Sequence, residues 1–252
     1  MAAQHRHYSS PKHTSRGLFI TGTDTGVGKT VVAAALISAL KARGLDIGVM
    51  KPAESGCPRD NKGALIPEDA LFLKAVAEST DSPNLINPYA FEQPLAPALA
   101  AEMSGVDIRM ETIIASYNAL AQNHDLVIVE GAGGLLAPLT QKERMLDLAC
   151  TLKMPILIVA KNVLGVINHA DLTVRVAQGA GTQVAGIVLN HTSYDDHPAI
   201  RTNAASLQRW VAAPYLGEMP YLSSLDYNIL GQTAENNLKL DSLLKSLVRG
   251  LT

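Results

Sequence analysis

The chain has 252 residues, 47% of them apolar and 17% charged, with a formal net charge of −2. That length suits one large α/β domain or two small ones, and the near-neutral balance leaves no excess of Lys or Arg to neutralise nucleic-acid phosphates. Aromatics at 4% are too few for base stacking, no apolar run nears the ~20 residues that span a bilayer, and Cys57 and Cys150 have no CxxC spacing, so a soluble cytoplasmic protein without nucleic-acid or membrane partners is expected.

Residues 1–16 carry His5, Arg6, His7, Lys12, His13 and Arg16 without an acid or an apolar period. They read as a disordered tail, since a transit segment would need an amphipathic face. Residues 17–252 read as one domain. Leu18–Thr21 is a buried strand followed by a Gly-rich turn, and Val31–Arg43 is an Ala- and Leu-rich helix closed by Gly44. Asp46–Met50 is a second strand ending at Lys51-Pro52. Cys57–Pro67 is a polar loop and Glu68–Glu78 a helix. Leu126–Val129, Pro155–Val159 and Gly186–Leu189 are short continuous apolar runs, as expected of strands covered on both faces. Helices at Glu111–Gln122 and Ala170–Gln178 supply crossovers. Glu235–Arg249 reads as one amphipathic helix with Leu240, Leu243, Leu244 and Leu247 on one face. The pattern predicts a single doubly wound α/β domain, its sheet mostly parallel with helices on both faces.

Between the first strand and the first helix lies Gly22-Thr23-Asp24-Thr25-Gly26-Val27-Gly28-Lys29-Thr30. A loop of this kind surrounds phosphate oxygens with backbone N–H groups and a helix N-terminus. Its Lys reaches the β- and γ-phosphates and its Thr hydroxyl ligates Mg²⁺. The usual GxxxxGK[ST] pattern would place its first Gly at Thr23; here Gly22 comes one residue early, so the loop is a variant. It predicts a nucleotide and leaves the reaction open.

Asp125–Gly134 reads as a buried strand ending in Glu130 and then glycines, which places an acid beside the phosphate loop where it can hold Mg²⁺. Lys51, at the end of the second strand, offers a second cation to the γ-phosphate at the ligand-binding edge of such a sheet, with Ser55 and Gly56 nearby. Asp69 taken alone reads as part of an acidic first helical turn. His169 and Asp171 read as capping or interface residues. The sequence contains no HExxH motif, no Cys/His zinc cluster and no GxSxG elbow.

Six segments in order, Gly22–Thr30, Lys51–Gly56, Asn87–Phe91, Glu130–Gly134, Leu164–Ala170 and Leu216–Pro220, together resemble the dethiobiotin synthases. The resemblance covers about residues 17 to 230. It implies an ATP- and Mg²⁺-dependent ligase that joins CO₂ to 7,8-diaminopelargonic acid and closes a cyclic urea. It also implies a homodimer whose site is completed across the interface. Lys29 and Lys51 would hold carbamate and γ-phosphate as the catalytic pair. Thr25 and Ser55 would contact the diamine–carbamate end, and Thr30, Asp69 and Glu130 would hold Mg²⁺. The implied nucleotide contacts are Gly26, Val27, Gly28, Lys29, Thr30, Val31, Asp69, Glu130, Gly131, Ala132 and Gly133, with Asn190, His191, Pro220, Tyr221 and Leu222 at the adenine. Gly165, Val166 and Asn168 would receive the substrate carboxylate from the partner subunit. Gly26 stands where the family often has Glu, and His191 where it commonly has an acid. A partition-type regulatory ATPase would carry a further Lys just after the first Gly of the loop, where this chain has Thr23 and Asp24. Another ATP-dependent synthetase, of the amidotransferase type, would need room for a glutaminase domain.

Overall fold

The computed structural model of the protein describes residues 17–194 and 196–249, so the tail expected over residues 1–16 lies outside the described residues. In chain order the first elements are β1 (Gly17–Gly22), α1 (Lys29–Ala42), β2 (Ile47–Met50), β3 (Ala53–Ser55), α2 (Glu68–Ala77), α3 (Pro83–Ile86), β4 (Tyr89–Phe91), α4 (Pro97–Met103) and α5 (Met110–Asn123). They continue with β5 (Leu126–Gly134), α6 (Met145–Thr151), β6 (Ile156–Lys161), α7 (Val166–Gly179), β7 (Val184–Asn190), α8 (Pro198–Trp210), β8 (Tyr215–Met219), α9 (Tyr227–Asn237) and α10 (Leu240–Arg249). Six strands form one sheet in the order β2-β5-β1-β6-β7-β8, with every pairing parallel. The expected doubly wound α/β architecture is therefore present.

The continuous apolar runs follow from this arrangement. Alternate residues of each strand point to opposite faces, and here both faces are buried. Leu18, Ile20, Ile47, Val49, Ile128, Leu157 and Val159 pack on the side of α1, α2, α9 and α10. Phe19, Met50, Val127, Val129, Ile156 and Ile158 pack on the other side, with α5, α6 and α7. Each fully buried Leu, Ile or Phe contributes about 1.5–3 kcal/mol of transfer free energy.

Three boundaries differ from expectation. Helix α1 starts at Lys29, two residues early, because Gly28 takes a left-handed conformation (φ 86°) that turns the chain directly into the helix. Strand β5 runs to Gly134, so Glu130 lies inside the strand, paired with Ile20 of β1, rather than at its end. The single helix expected over Glu235–Arg249 is broken at Leu238, which is extended (φ −113°, ψ 144°). Leu238 bridges Gly217 of β8 in antiparallel sense, and the Lys239 N–H donates to the Leu216 carbonyl at 2.8 Å. A Cβ on Gly217 (φ 132°) would collide with the Asn237 backbone oxygen, so the break depends on that glycine.

Parallel strands all deliver their carboxyl ends to one edge. The phosphate loop follows β1, Lys51 follows β2, Asn190 ends β7 and Pro220 follows β8. A small second sheet, β3 paired parallel with β4, folds over the β2 end of this edge.

Candidate active site

Helix α1 is mostly buried Ala, Val, Leu and Ile, and that packing fixes its N-terminus beneath the loop Thr23–Gly28. A Cβ on Gly28 would clash with the Asn190 side-chain amide. That amide donates to the Val27 carbonyl at 2.9 Å, tying the loop to the end of β7. Lys29 is the first residue of α1 and is only 7% exposed. Its Nζ reaches back 3.4 Å to the Asp24 carbonyl. Burial lowers its pKa below the ordinary lysine value, with Glu130 opposing the shift and Lys51 adding to it.

Strand β5 lies between β2 and β1, and this ordering brings Lys51 and the loop to either side of Glu130. Lys51 Nζ lies 2.5 Å from Glu130 Oε1 and 2.8 Å from Asp69 Oδ2. Thr30 Oγ1 donates to the same Glu130 oxygen at 2.9 Å. Burial works against the charge on Lys51, but Glu130 and Asp69 overcome it and hold the ammonium above the ordinary lysine range. Asp69 is shifted the other way: burial alone would raise it, yet Lys51, Thr30 and Lys29 together keep its carboxyl below the usual value.

Lys51 is also anchored through its backbone. Its N–H donates to the Ile86 carbonyl at 2.7 Å, and Asn87 Nδ2 donates to the Lys51 carbonyl at 2.7 Å and to that of Tyr89 at 3.2 Å. Asn87 is buried and joins the end of β2 to the start of β4.

These residues line a cleft of about 350 Å³ bounded by Thr25, Gly26, Gly28, Lys29, Thr30, Val31, Lys51, Glu54, Ser55, Asp69, Glu130, Ala132 and Gly133. Glu130 is fully buried, and its Oε2 has no hydrogen-bond partner. An unpaired buried carboxylate oxygen beside a Thr hydroxyl and a second carboxylate fits a hard cation that keeps several waters and completes its shell with phosphate. Among the described residues no group of three or more His, Cys, Asp or Glu side chains could by itself hold a metal ion.

The other expected residues lie elsewhere. His191, Pro220 and Tyr221 border a separate recess with Tyr194, Tyr215 and Glu218. His191 Nε2 sits 2.8 Å from Glu218 Oε2. Leu222 is partly buried against the α1-side core, while Val27 and Gly131 are buried behind the cleft. Gly165, with φ 97°, caps α7; Gly165 and Asn168 are exposed, Val166 is buried, and none of the three borders the cleft.

A family model described as an AAA domain matches residues 16–228. The ATP-dependent dethiobiotin synthetase BioD of Anaeromyxobacter dehalogenans (strain 2CP-1 / ATCC BAA-258) is 46% identical over 207 residues, covering 82% of this chain and 90% of its own. The BioD of Bacillus subtilis (strain 168) is 34% identical over 232 residues, covering 92% and 99%. The chain belongs to the dethiobiotin synthetase family. Thermodesulfovibrio yellowstonii has another such relative, 36% identical over 90% of this chain and 98% of its own. Among solved structures, the MinC:MinD cell division complex of Aquifex aeolicus aligns with a TM-score of 0.50 at 15% identity, over 86% of both chains. A duf1611 family protein from Anabaena variabilis aligns at 0.52 and 18% identity, over 91% of this chain and 57% of its own. At such identities these two matches speak for the fold alone.

The geometry of this dethiobiotin synthetase family member adds two residues that the sequence reading left without a role. Asn87 fixes the backbone of Lys51, and Glu54 enters the cleft wall beside Ser55. Each stands in a segment that carried the resemblance. The signal available was a polar residue next to a strand end, which does not reveal its partner.

Proposed function

We propose that the chain makes dethiobiotin from 7,8-diaminopelargonic acid, CO₂ and ATP, as an ATP-dependent ligase of biotin biosynthesis. The observation that carries this is that two buried lysines, Lys29 and Lys51, line one phosphate-loop cleft together with Thr25 and Ser55. One amine of the diamine adds to CO₂ and loses a proton to give a carbamate. A carbamate oxygen attacks the γ-phosphorus and ADP departs. The second amine then attacks the carbonyl carbon of the carbamic–phosphoric anhydride, phosphate leaves and the urea ring closes.

Negative charge gathers where carbamate meets γ-phosphate, and two ammonium groups in a buried site stabilise it. Thr25 and Ser55 orient the diamine–carbamate, so that ring closure is effectively unimolecular. Thr30, Asp69 and Glu130 are the residues that would hold Mg²⁺, which when bound neutralises phosphate charge. For this the Lys51 ammonium, now shared between Glu130 and Asp69, must swing toward phosphate. The residues of the loop from Gly26 to Val31, with Gly131, Ala132 and Gly133, surround the phosphates. Asn190, His191, Pro220, Tyr221 and Leu222 frame the adenine. Gly165, Val166 and Asn168 serve the site of a second copy in a homodimer, a reading supported by the exposure of Gly165 and Asn168 outside the cleft. The enzyme works in the cytoplasm.

The test is phosphate release from ATP with Mg²⁺ and bicarbonate, with and without the diamine, following product mass. Diamine-dependent release with a cyclic-urea product is expected. ATP hydrolysis indifferent to the diamine would overturn the proposal.

A further inference from the structure

Helix α2 begins without a cap of its own. Its N-cap is Pro67, which supplies no side-chain acceptor, although the first turn of any helix leaves backbone N–H groups unpaired. The acceptors come from β3. Glu54 Oε1 accepts the Asp69 N–H at 2.9 Å, and Oε2 accepts the Ala70 N–H at 3.0 Å. Glu54 is 7% exposed, and a carboxylate on two amides at a helix N-terminus is a charge-assisted contact that the helix dipole favours.

The segment joining β3 to α2 could not do this work. Residues 58–64 are exposed, and the loop closes on itself: Asp60 Oδ1 accepts the Lys62 and Ala64 N–H groups, and Arg59 bridges Leu65. Leu73 and Val76 of α2 are buried in the α1-side core and set the direction of the helix. Ala70 of the first turn packs in the same core, and Glu54 ties that turn to β3 through the Asp69 and Ala70 amides. That turn carries Asp69, whose carboxylate meets Lys51 Nζ. Asp69, Glu54 and Lys51 thus form a closed link between β2, β3 and α2.

We infer that Glu54 is a positioning residue for Asp69: by holding the Asp69 amide it fixes the carboxylate where Mg²⁺–nucleotide is received. The inference rests on Asp69 being a Mg²⁺-binding residue, as proposed above. Both Glu54 oxygens accept backbone amides of the first turn of α2, so Glu54 acts by placing the turn that carries Asp69.

The test compares E54A, E54Q and D69N in the full chain. Titration calorimetry with a non-hydrolysable ATP analogue gives the Mg²⁺ concentration for half-maximal binding; thermal melting confirms that each variant is folded. E54A should raise that Mg²⁺ concentration roughly 10-fold or more, close to the shift in D69N, and change metal-free analogue binding far less. E54Q keeps one acceptor oxygen and should shift it severalfold, so it carries the test if E54A does not fold. Glu54 variants with the wild-type Mg²⁺ dependence, beside a shifted D69N, would overturn this inference and leave the role of Asp69 standing. An unshifted D69N would overturn both.

Discussion

The two ends of the strand edge are built differently. At the β2-β5-β1 end, Lys29, Lys51, Glu130 and Glu54 are each less than a tenth exposed; Lys51 pairs with Glu130, and Glu54 accepts two helix amides. At the β7-β8 end, Tyr194, Pro220 and Tyr221 are exposed, and the His191–Glu218 pair is half-open to solvent. A buried charge tolerates no loss of its partner, whereas an exposed pair is worth little. The proposed phosphate end is therefore a set of mutually dependent buried charges, and the proposed base end is an open surface on which substitutions should adjust affinity.

The sharpest way to break this contrast is K51A. It removes one of the two ammonium groups, and diamine-dependent turnover should fall by roughly 10³-fold. It also strands Glu130 in the core, so urea denaturation should report a loss of about 3 kcal/mol. A variant with near-normal turnover would mean that Lys51 is only a structural counter-ion.

The exposed start of α7 gives the next largest effect. K51A and N168A are each expected to be impaired, for different reasons. If Asn168 serves the partner's cleft, mixing the two proteins with subunit exchange restores one intact site in half of the dimers, about a quarter of wild-type activity. No recovery on mixing would place Asn168 in the site of its own subunit.

At the base end, H191A should raise the KM for ATP by less than about tenfold, the scale of one lost polar contact, and leave the Mg²⁺ requirement unchanged. Abolished turnover would erase the distinction between the two ends.

The smallest effect is expected away from both. His124 lies 2.9 Å from Asp81 and 3.0 Å from Asp46. Burial disfavours its charge, but the two carboxylates win and raise its pKa. The folded state therefore binds the proton more tightly than the unfolded chain. The resulting stability is fully present below about pH 6.5 and is lost as pH rises through the raised value. H124Q should cost less than about 1 kcal/mol at pH 6, since Asp46 is largely exposed, and less still in alkaline solution. Denaturation curves at the two pH values check this, with catalysis unaffected at either.

The phosphate end was the more legible of the two in the sequence, because its information is local. The loop, its Lys29 and the strand-end Lys51 are contiguous with the strands that carry them. Asp69 was legible only through the family resemblance, since an acidic first turn looks the same whether or not it faces a cleft. Glu54 was given no role: its partners are amides fifteen and sixteen residues away, set by where a helix happens to begin. The break at Leu238 was hidden for a similar reason. Leu240, Leu243, Leu244 and Leu247 keep a helical spacing, and what interrupts the helix is a long-range bridge to Gly217.

That bridge has a bearing on how the molecule behaves in a crowded solution. β8 is the last strand of the sheet, and an unpaired outer strand invites other chains to add to it. Here the extended turn at Leu238–Lys239 occupies the Leu216–Gly217 backbone, and α10 follows directly behind it. The C-terminal segment thus acts as a hem on the sheet, and a chain cut before Leu238 would leave a raw border prone to aggregation.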